Sequence, residues 1–364
     1  MISVIFTLDY EIHGSGMGSP QELMVEPTAR MLRQFDRHGA RLTILADVAE
    51  ILKFREYAEQ HGRDRFGYQG VAQQLRGAVA SGHDVQLHLH SAYFRGSWDE
   101  AAGIWRQDYS EYDLARLGHE RLSQLIGLGR DTLEDLLRPV KPDYRCFAFR
   151  AANWSMQPSP DIVRALVEAG FRVDTSVFKH GRYDELVHFD YSHAHSDLLP
   201  WPVDPSDVCL RDQRGQLFEF PIYCELQPIW TFLTLNRVYR VVAQLLNPLP
   251  AEDQRLVQQG EAGAPPLTGR ALAALRKLTT SQPWKADFNQ CTGRQLIDSL
   301  RRVERRYGHL DVVLPFVLIG HSKTFTRLNE LSLRPFLEYV AARPERYRFG
   351  TFGELELEDY RSLP

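Results

Sequence analysis

The chain has 364 residues, with 43% hydrophobic and 25% charged side chains and a formal net charge of −4. That length supports a large core, and the mildly acidic balance excludes an electrostatic case for nucleic acid or an anionic membrane as partner. No apolar run reaches the roughly 18 residues that a membrane-spanning helix needs.

The opening residues, MISVIFTLDYE, lack a basic n-region, a long apolar stretch and a cleavage site. They are expected to form a first strand rather than a signal peptide, which places the protein in the cytoplasm. GSGMGSP (14–20) follows as a loop. PTARMLRQFDRHG (27–39) reads as a helix with Pro27 near its start and Gly39 as its stop. ARLTILAD (40–47) is a second strand. VAQQLRGAVASGH (71–83) is a helix closed by Gly82, and DVQLHLH (84–90) is a third strand. Residues 114–137 form a long amphipathic helix ending before Pro139. CFAFR (146–150) is a strand, and SPDIVRALVEAG (159–170) is a helix with Ser159 as N-cap and Pro160 at its first position. FRVDTSV (171–177), QLFEFPIY (216–223) and VVLPFVLIGH (312–321) complete the strands. Thr292 with Gln295 forms a capping box that opens another helix.

This alternation of strand and helix argues for parallel βαβ units and an α/β fold. Residues 225–290 differ. They hold apolar helical pieces, IWTFLTLNRVYRVVAQLL and GRALAALRKL, around a Gly- and Pro-rich loop. This span is read as a helical insertion. The four cysteines, Cys146, Cys209, Cys224 and Cys291, form no C-x-x-C pair and no disulfide framework, and are expected to be reduced and structural.

Side chains two apart in a strand share a face. Asp9 and Glu11 therefore lie together at the end of the first strand, and His88 and His90 at the end of the third. Two carboxylates at a strand end are costly to bury unpaired, and a cation would resolve that cost. One carboxylate with two imidazoles makes a three-ligand set with a position open for water, as at a catalytic zinc. Arg150 ends the strand CFAFR, where it can pair with Asp9, and His321 follows a strongly apolar run. In α/β barrels catalytic groups gather at the C-terminal ends of strands, and all four pieces fall at such ends. SHAHSDLLPWP carries a second His-x-His, His193 and His195, read as loop residues with no evident carboxylate partner.

In their order along the chain, TLDYE (7–11), GHDVQLHLHSAY (82–93), FRAANW (149–154), DTSV (174–177) and LIGH (318–321) resemble the motifs of the polysaccharide deacetylase family, the NodB-homology carbohydrate esterases. The likeness spans about residues 1–325, with 225–290 its poorest part. It is nearest the WbmS-type branch encoded with O-antigen clusters. The resemblance implies a single domain over 1–364, a distorted (β/α) TIM-like barrel carrying the 225–290 insertion. It implies Asp9 as catalytic base, Arg150 as its orienter, His321 as general acid, and a divalent metal, Zn2+ foremost, on Glu11, His88 and His90. The family's histidine motif is His-x-x-x-His; counted from His88, its second position here is Ala92, so His90 stands in for the missing ligand. The first motif is Asp-x-Glu rather than adjacent aspartates.

The implied activity is removal of an acetyl or formyl group from an amino sugar or sugar conjugate during surface-polysaccharide synthesis. Trp98, Trp154, Trp201 and Tyr223 are candidates for the walls of a sugar-sized cleft, although the core is the commoner place for any one of them. Two other readings share the fold: a hydrolase of a non-sugar amide, and a glycan- or partner-binding module with weakened catalysis, which Ala92 favours.

Overall fold

A computed structural model describes residues 1–12, 18–239 and 281–363. Its centre is a parallel sheet. β1 (Ile2–Tyr10) is buried along its whole length, as expected of a strand covered on both faces. β2 (Leu42–Asp47), β3 (Asp84–Leu89), β4 (Ala148–Ala151), β5 (Val173–Asp174) and β6 (Phe218–Glu219) follow outward from β1, each parallel to its neighbour, and β7 (Leu314–His321) flanks β1 on the other side. Antiparallel strands Trp201–Asp204 and Asp207–Arg211 extend the β6 edge. Tyr347–Phe349 pairs with the start of β1.

The sheet is curled. Immediately after β6, Phe220 N–H donates to Asp174 O (2.8 Å) and Ile222 N–H to Val177 O (2.9 Å), while Tyr223 N–H donates to Val317 O on β7 (3.0 Å). Residues 218–223 thus run from the β5 side of the sheet to β7 at its other side. The curl gives the protein two apolar clusters. A small inner one gathers Ile5, Ala148, Val173, Phe218 and Val317, closed by Phe352 and Tyr360 near the C-terminus. The larger one packs outward-facing residues such as Phe6, Leu8, Ile44 and Leu87 against the helices.

The helices are α1 (Glu26–Arg37), α2 (Val48–His61), α3 (Tyr68–Ala80), α4 (His119–Leu137), α5 (Ser159–Glu168), α6 (Gly293–Tyr307) and α7 (Arg327–Ala341) among the described residues. Gly39, at φ 67°, lets the chain turn out of α1 in the left-handed region. Thr292 and Gln295 form the expected capping box on α6: Gln295 N–H donates to Thr292 Oγ1 (3.3 Å) and Thr292 N–H to Gln295 Oε1 (2.9 Å). Three expectations change. α2 was not anticipated. The helix expected from residue 114 begins at His119, after a short 3-10 turn at Leu114–Arg116. Ser159 is not an N-cap: its hydroxyl donates back to Met156 O (2.7 Å) and accepts from Val208 N–H (2.9 Å), tying α5 to the strand beside it.

The span read as a helical insertion is described only at its ends. There Cys224–Gln227 and Gln282–Lys285 form a two-stranded antiparallel ribbon, so the chain leaves and re-enters at one place. Of the helical piece expected at 229–246, Ile229–Phe232 is a 3-10 turn and 235–239 are helical; residues 240–246, the piece at 269–278 and the first part of the 14–20 loop lie outside the described residues.

Candidate metal and acid–base site

Register assembles the site. Across parallel neighbours, paired residues present side chains to the same face. Asp9 on β1 pairs with His321 on β7. Asp47 on β2 pairs with His88 on β3, which pairs with Arg150 on β4. Residues far apart in sequence therefore meet at the C-terminal rim of one sheet face.

Arg150 is fully buried and each of its three guanidinium nitrogens has a partner. Nη1 donates to Asp9 Oδ1 (2.8 Å), Nε to Thr175 O (2.8 Å) and Nη2 to Thr175 Oγ1 (3.2 Å). Thr175 Oγ1 donates in turn to Phe220 O (2.8 Å), so the curl of the sheet anchors the arginine. Burial alone would push the Asp9 carboxyl up. Arg150, then His321 and His88, outweigh it and hold Asp9 below the usual carboxylate range. On the other side, His321 Nε2 lies 3.5 Å from Asp9 Oδ2. Burial pulls the His321 imidazole down from its ordinary value, against the opposing pull of Asp9 and Glu11. The His321 backbone is braced by Asn289, whose Oδ1 accepts from His321 N–H (2.7 Å) and whose Nδ2 donates to His321 O (3.3 Å). Gly320 is required here, since a Cβ would sit 2.1 Å from the Phe288 ring.

Glu11, His88 and His90 are all buried, and their donor atoms lie within 4.8 Å of one another. His88 Nδ1 is 2.9 Å from Arg150 O, which leaves Nε2 facing Glu11 Oε2 at 3.1 Å. His90 Nδ1 lies 2.9 Å from Asp47 Oδ2 and 3.3 Å from Glu11 Oε2. Burial alone would push the His88 imidazole down; the hydrogen bond to Glu11 and the charges of Asp9, Glu11 and Asp47 outweigh it and lift it to about 9. A buried carboxylate and two imidazoles, His88 held through its far nitrogen by Arg150 O and His90 turning Nδ1 to both Asp47 and Glu11, is the donor chemistry of a zinc-type site. The residues present fit such an ion.

Sequence reasoning missed several participants. Asp47 caps α2 by accepting from Ala49 N–H (3.1 Å), and the same oxygen accepts from His90 N–H (3.2 Å). Glu50, one turn into α2, accepts from Ile12 N–H (2.7 Å) and fixes the chain beside Glu11. Lys323 Nζ donates to Glu11 Oε1 (2.6 Å). It stands two residues beyond His321, in the turn after β7, and Asp47 ends the strand ARLTILAD, a strand-end position like those of its neighbours in the site. Ala92 is buried in the turn after β3 and offers no ligand.

Asp9, Glu11, His88, His90, His321 and Lys323 line a cavity of about 190 Å3, with Trp154 and Asn153 on its wall. The other aromatic candidates lie elsewhere. Trp201 is wholly buried in the core, its Nε1 donating to Val208 O (3.0 Å). Tyr223 packs on Phe316, with ring centroids 4.9 Å apart, and its hydroxyl donates to Glu225 (3.1 Å). Trp98 lines a larger cavity, about 460 Å3, that shares no residue with the site. His193 does have a carboxylate partner, with Nε2 2.8 Å from Asp207 Oδ2. Among the described residues no helix is long and apolar enough to cross a membrane.

No family model matches the sequence, and no curated protein matches it. Several solved structures are similar at low identity. A putative polysaccharide deacetylase from Mycobacterium smegmatis is 14% identical with a TM-score of 0.49, over 97% of this chain and 88% of that one. A probable polysaccharide deacetylase from Pseudomonas aeruginosa PAO1 is 13% identical with a TM-score of 0.47, over 97% and 89%. A GH57-type branching enzyme from Pyrococcus horikoshii is 13% identical with a TM-score of 0.49, over 97% and 69%. Likeness at this level carries no functional argument.

Proposed function

We propose that the protein is a metal-dependent hydrolase of an amide bond, an N-deacylase of the NodB-homology type acting on an amino sugar. The observation that carries this reading is the Arg150–Asp9–His321 chain set beside Glu11, His88 and His90. A base, its orienter and an acid side by side have a use in proton transfer and none in passive binding. A divalent cation held by Glu11, His88 and His90 would supply Lewis acidity to the amide carbonyl and acidify a water.

The chain's own residues handle the protons. Asp9, kept ionised by Arg150, takes a proton as water adds to the acyl carbon. His321, in reach of Asp9, relays that proton to the nitrogen as the C–N bond breaks. The products are a carboxylic acid and a free amine, and no other reactant is consumed. The cavity of about 190 Å3 suits a small acyl group such as acetyl or formyl. The motif order in TLDYE, HLHS, FRAANW and LIGH supports the barrel type, the amino sugar, zinc and the surface-polysaccharide (O-antigen) setting.

Lys323 favours a second reading, a glycan-binding module of the same fold, because its ammonium already neutralises one oxygen of Glu11. One experiment separates them. Zinc-loaded protein is incubated with N-acetyl and N-formyl amino-sugar conjugates, and acetate or formate is measured with and without a chelator. Chelator-sensitive release is expected. Binding of the conjugates without release would establish the module instead.

A further inference from the structure

One wall of the cavity is built from donors that lack acceptors. Asn153 and Trp154 follow β4 and line the cavity, and both sit in the left-handed region, at φ 51° and 57°. Two consecutive non-glycine residues there are strained, and such strain persists only where the surroundings enforce it. Here the Trp154 carbonyl is held by the Tyr191 hydroxyl. Its indole is packed edge-on against Phe178, with centroids 5.4 Å apart. Yet Asn153 Nδ2 and Trp154 Nε1 are buried with no hydrogen-bond partner among the described residues. Leaving a buried donor unsatisfied costs about 1–3 kcal/mol.

Lys285 sets a cation against this wall, on the Trp154 ring. It re-enters from the end of the 282–285 strand, and its Nζ lies 3.6 Å from the Trp154 ring centroid and 4.1 Å from that of Phe178. No carboxylate or carbonyl among the described residues accepts from that Nζ. Burial pushes the amine down to about 8, against the opposing pull of Asp287. Unused N–H donors together with a cation held only by aromatic faces call for an acceptor-rich anion.

We propose that Asn153, Trp154 and Lys285 form an anion-binding wall of the site, and that the substrate carries a carboxylate or phosphate group beside its acylated nitrogen. The inference rests on the hydrolase reading for the identity of the site, but not for its test. Asn153 and Trp154 donate to the anion's oxygens, and Lys285 opposes its charge while fixing the indole. A neutral sugar can accept from Asn153 and Trp154 but leaves the Lys285 charge without a counter-charge.

Binding tests the wall, and acid release tests the hydrolase reading. Isothermal titration of the full chain compares N-acetylglucosamine, N-acetylglucosamine 1-phosphate and N-acetylmuramic acid. At least one anionic ligand is expected to bind about tenfold or more tighter than the neutral sugar, and the preferred one distinguishes phosphate from carboxylate. Lys285→Met should bring the anionic-to-neutral ratio close to one. Trp154→Phe keeps the ring under Lys285 and deletes only the indole donor; Asn153→Gly suits the left-handed backbone and deletes only the amide. Both should lower the ratio, which keeps the test decisive if Lys285→Met folds poorly. Equal affinity for all three ligands, or a ratio unchanged in the variants, overturns the proposal. Selective anion binding, with neither acetate nor formate released from the N-acetyl and N-formyl forms of the preferred ligand, leaves the wall standing and removes the hydrolase reading.

Discussion

Arg150 Nη1 meets Asp9 Oδ1 at 2.8 Å, with both side chains buried and a sequence separation of 141. A buried ion pair is strongly destabilising when one partner is removed, by about 3–5 kcal/mol, because the other charge is left uncompensated. Arg150→Met should therefore lower stability by that amount in denaturant titration. Adding Asp9→Asn to it should recover a large part of the loss, since the stranded carboxylate is then gone. A double variant no more stable than Arg150→Met alone would show that the pair's geometry is incidental.

Asp9→Asn alone separates catalysis from metal binding. The amide keeps an oxygen for Arg150 but cannot take a proton. Release of acetate or formate should fall by about 10²–10⁴-fold, the usual share of general base catalysis. Zinc stoichiometry, read with a chromophoric chelator, should be unchanged. Retention of full turnover would remove Asp9 from the role of base.

Asp47 touches both helix α2 and His90. Asparagine is as good an N-cap as aspartate, so Asp47→Asn should leave thermal stability nearly unchanged. The charge that orients the His90 ring is lost, and outer-shell partners of this kind are worth about 10–100-fold in metal affinity. A competition titration with zinc should show that weakening, and His88→Ala a larger one. Unaltered zinc affinity in Asp47→Asn would mean that His90 is not a ligand.

The sequence made the strand-end groups legible because one rule, the period of two, places Asp9 with Glu11 and His88 with His90 whatever the tertiary structure. Their convergence depends on register, which no local pattern encodes. Asp47 went unread because α2 did: its first turns, from Val48 to Phe54, are buried almost without a break, Glu50 included, so no amphipathic stripe appears. Lys285 and Asn289 fall inside the span read as an insertion, although the former faces Trp154 and the latter braces His321. Trp201 and Tyr223 show the opposite limit. An aromatic side chain announces burial but not which cavity or core it enters, and both are taken up by packing away from the cavity.

Behind the site, Asp174 on β5 pairs in register with Glu219 on β6, and both are wholly buried. Asp174 Oδ2 and Glu219 Oε2 have no donor among the described residues, so a proton held between the carboxyls satisfies both. Burial, then the neighbouring Asp174, pushes the Glu219 carboxyl well above its ordinary value. A raised folded-state value means the native protein binds the proton more tightly than the unfolded chain. The contribution is therefore complete below the unfolded carboxyl's range, about pH 4.3, and is lost as pH climbs through the folded value. Glu219→Gln replaces the proton with a permanent donor and retains an oxygen for Val177 N–H, which now bonds Glu219 Oε1 at 3.0 Å. It should raise stability near neutral pH by about 1–3 kcal/mol and flatten the decline of melting temperature with rising pH. A variant whose melting temperature falls with pH as steeply as the parent's would show that this pair does not share a proton.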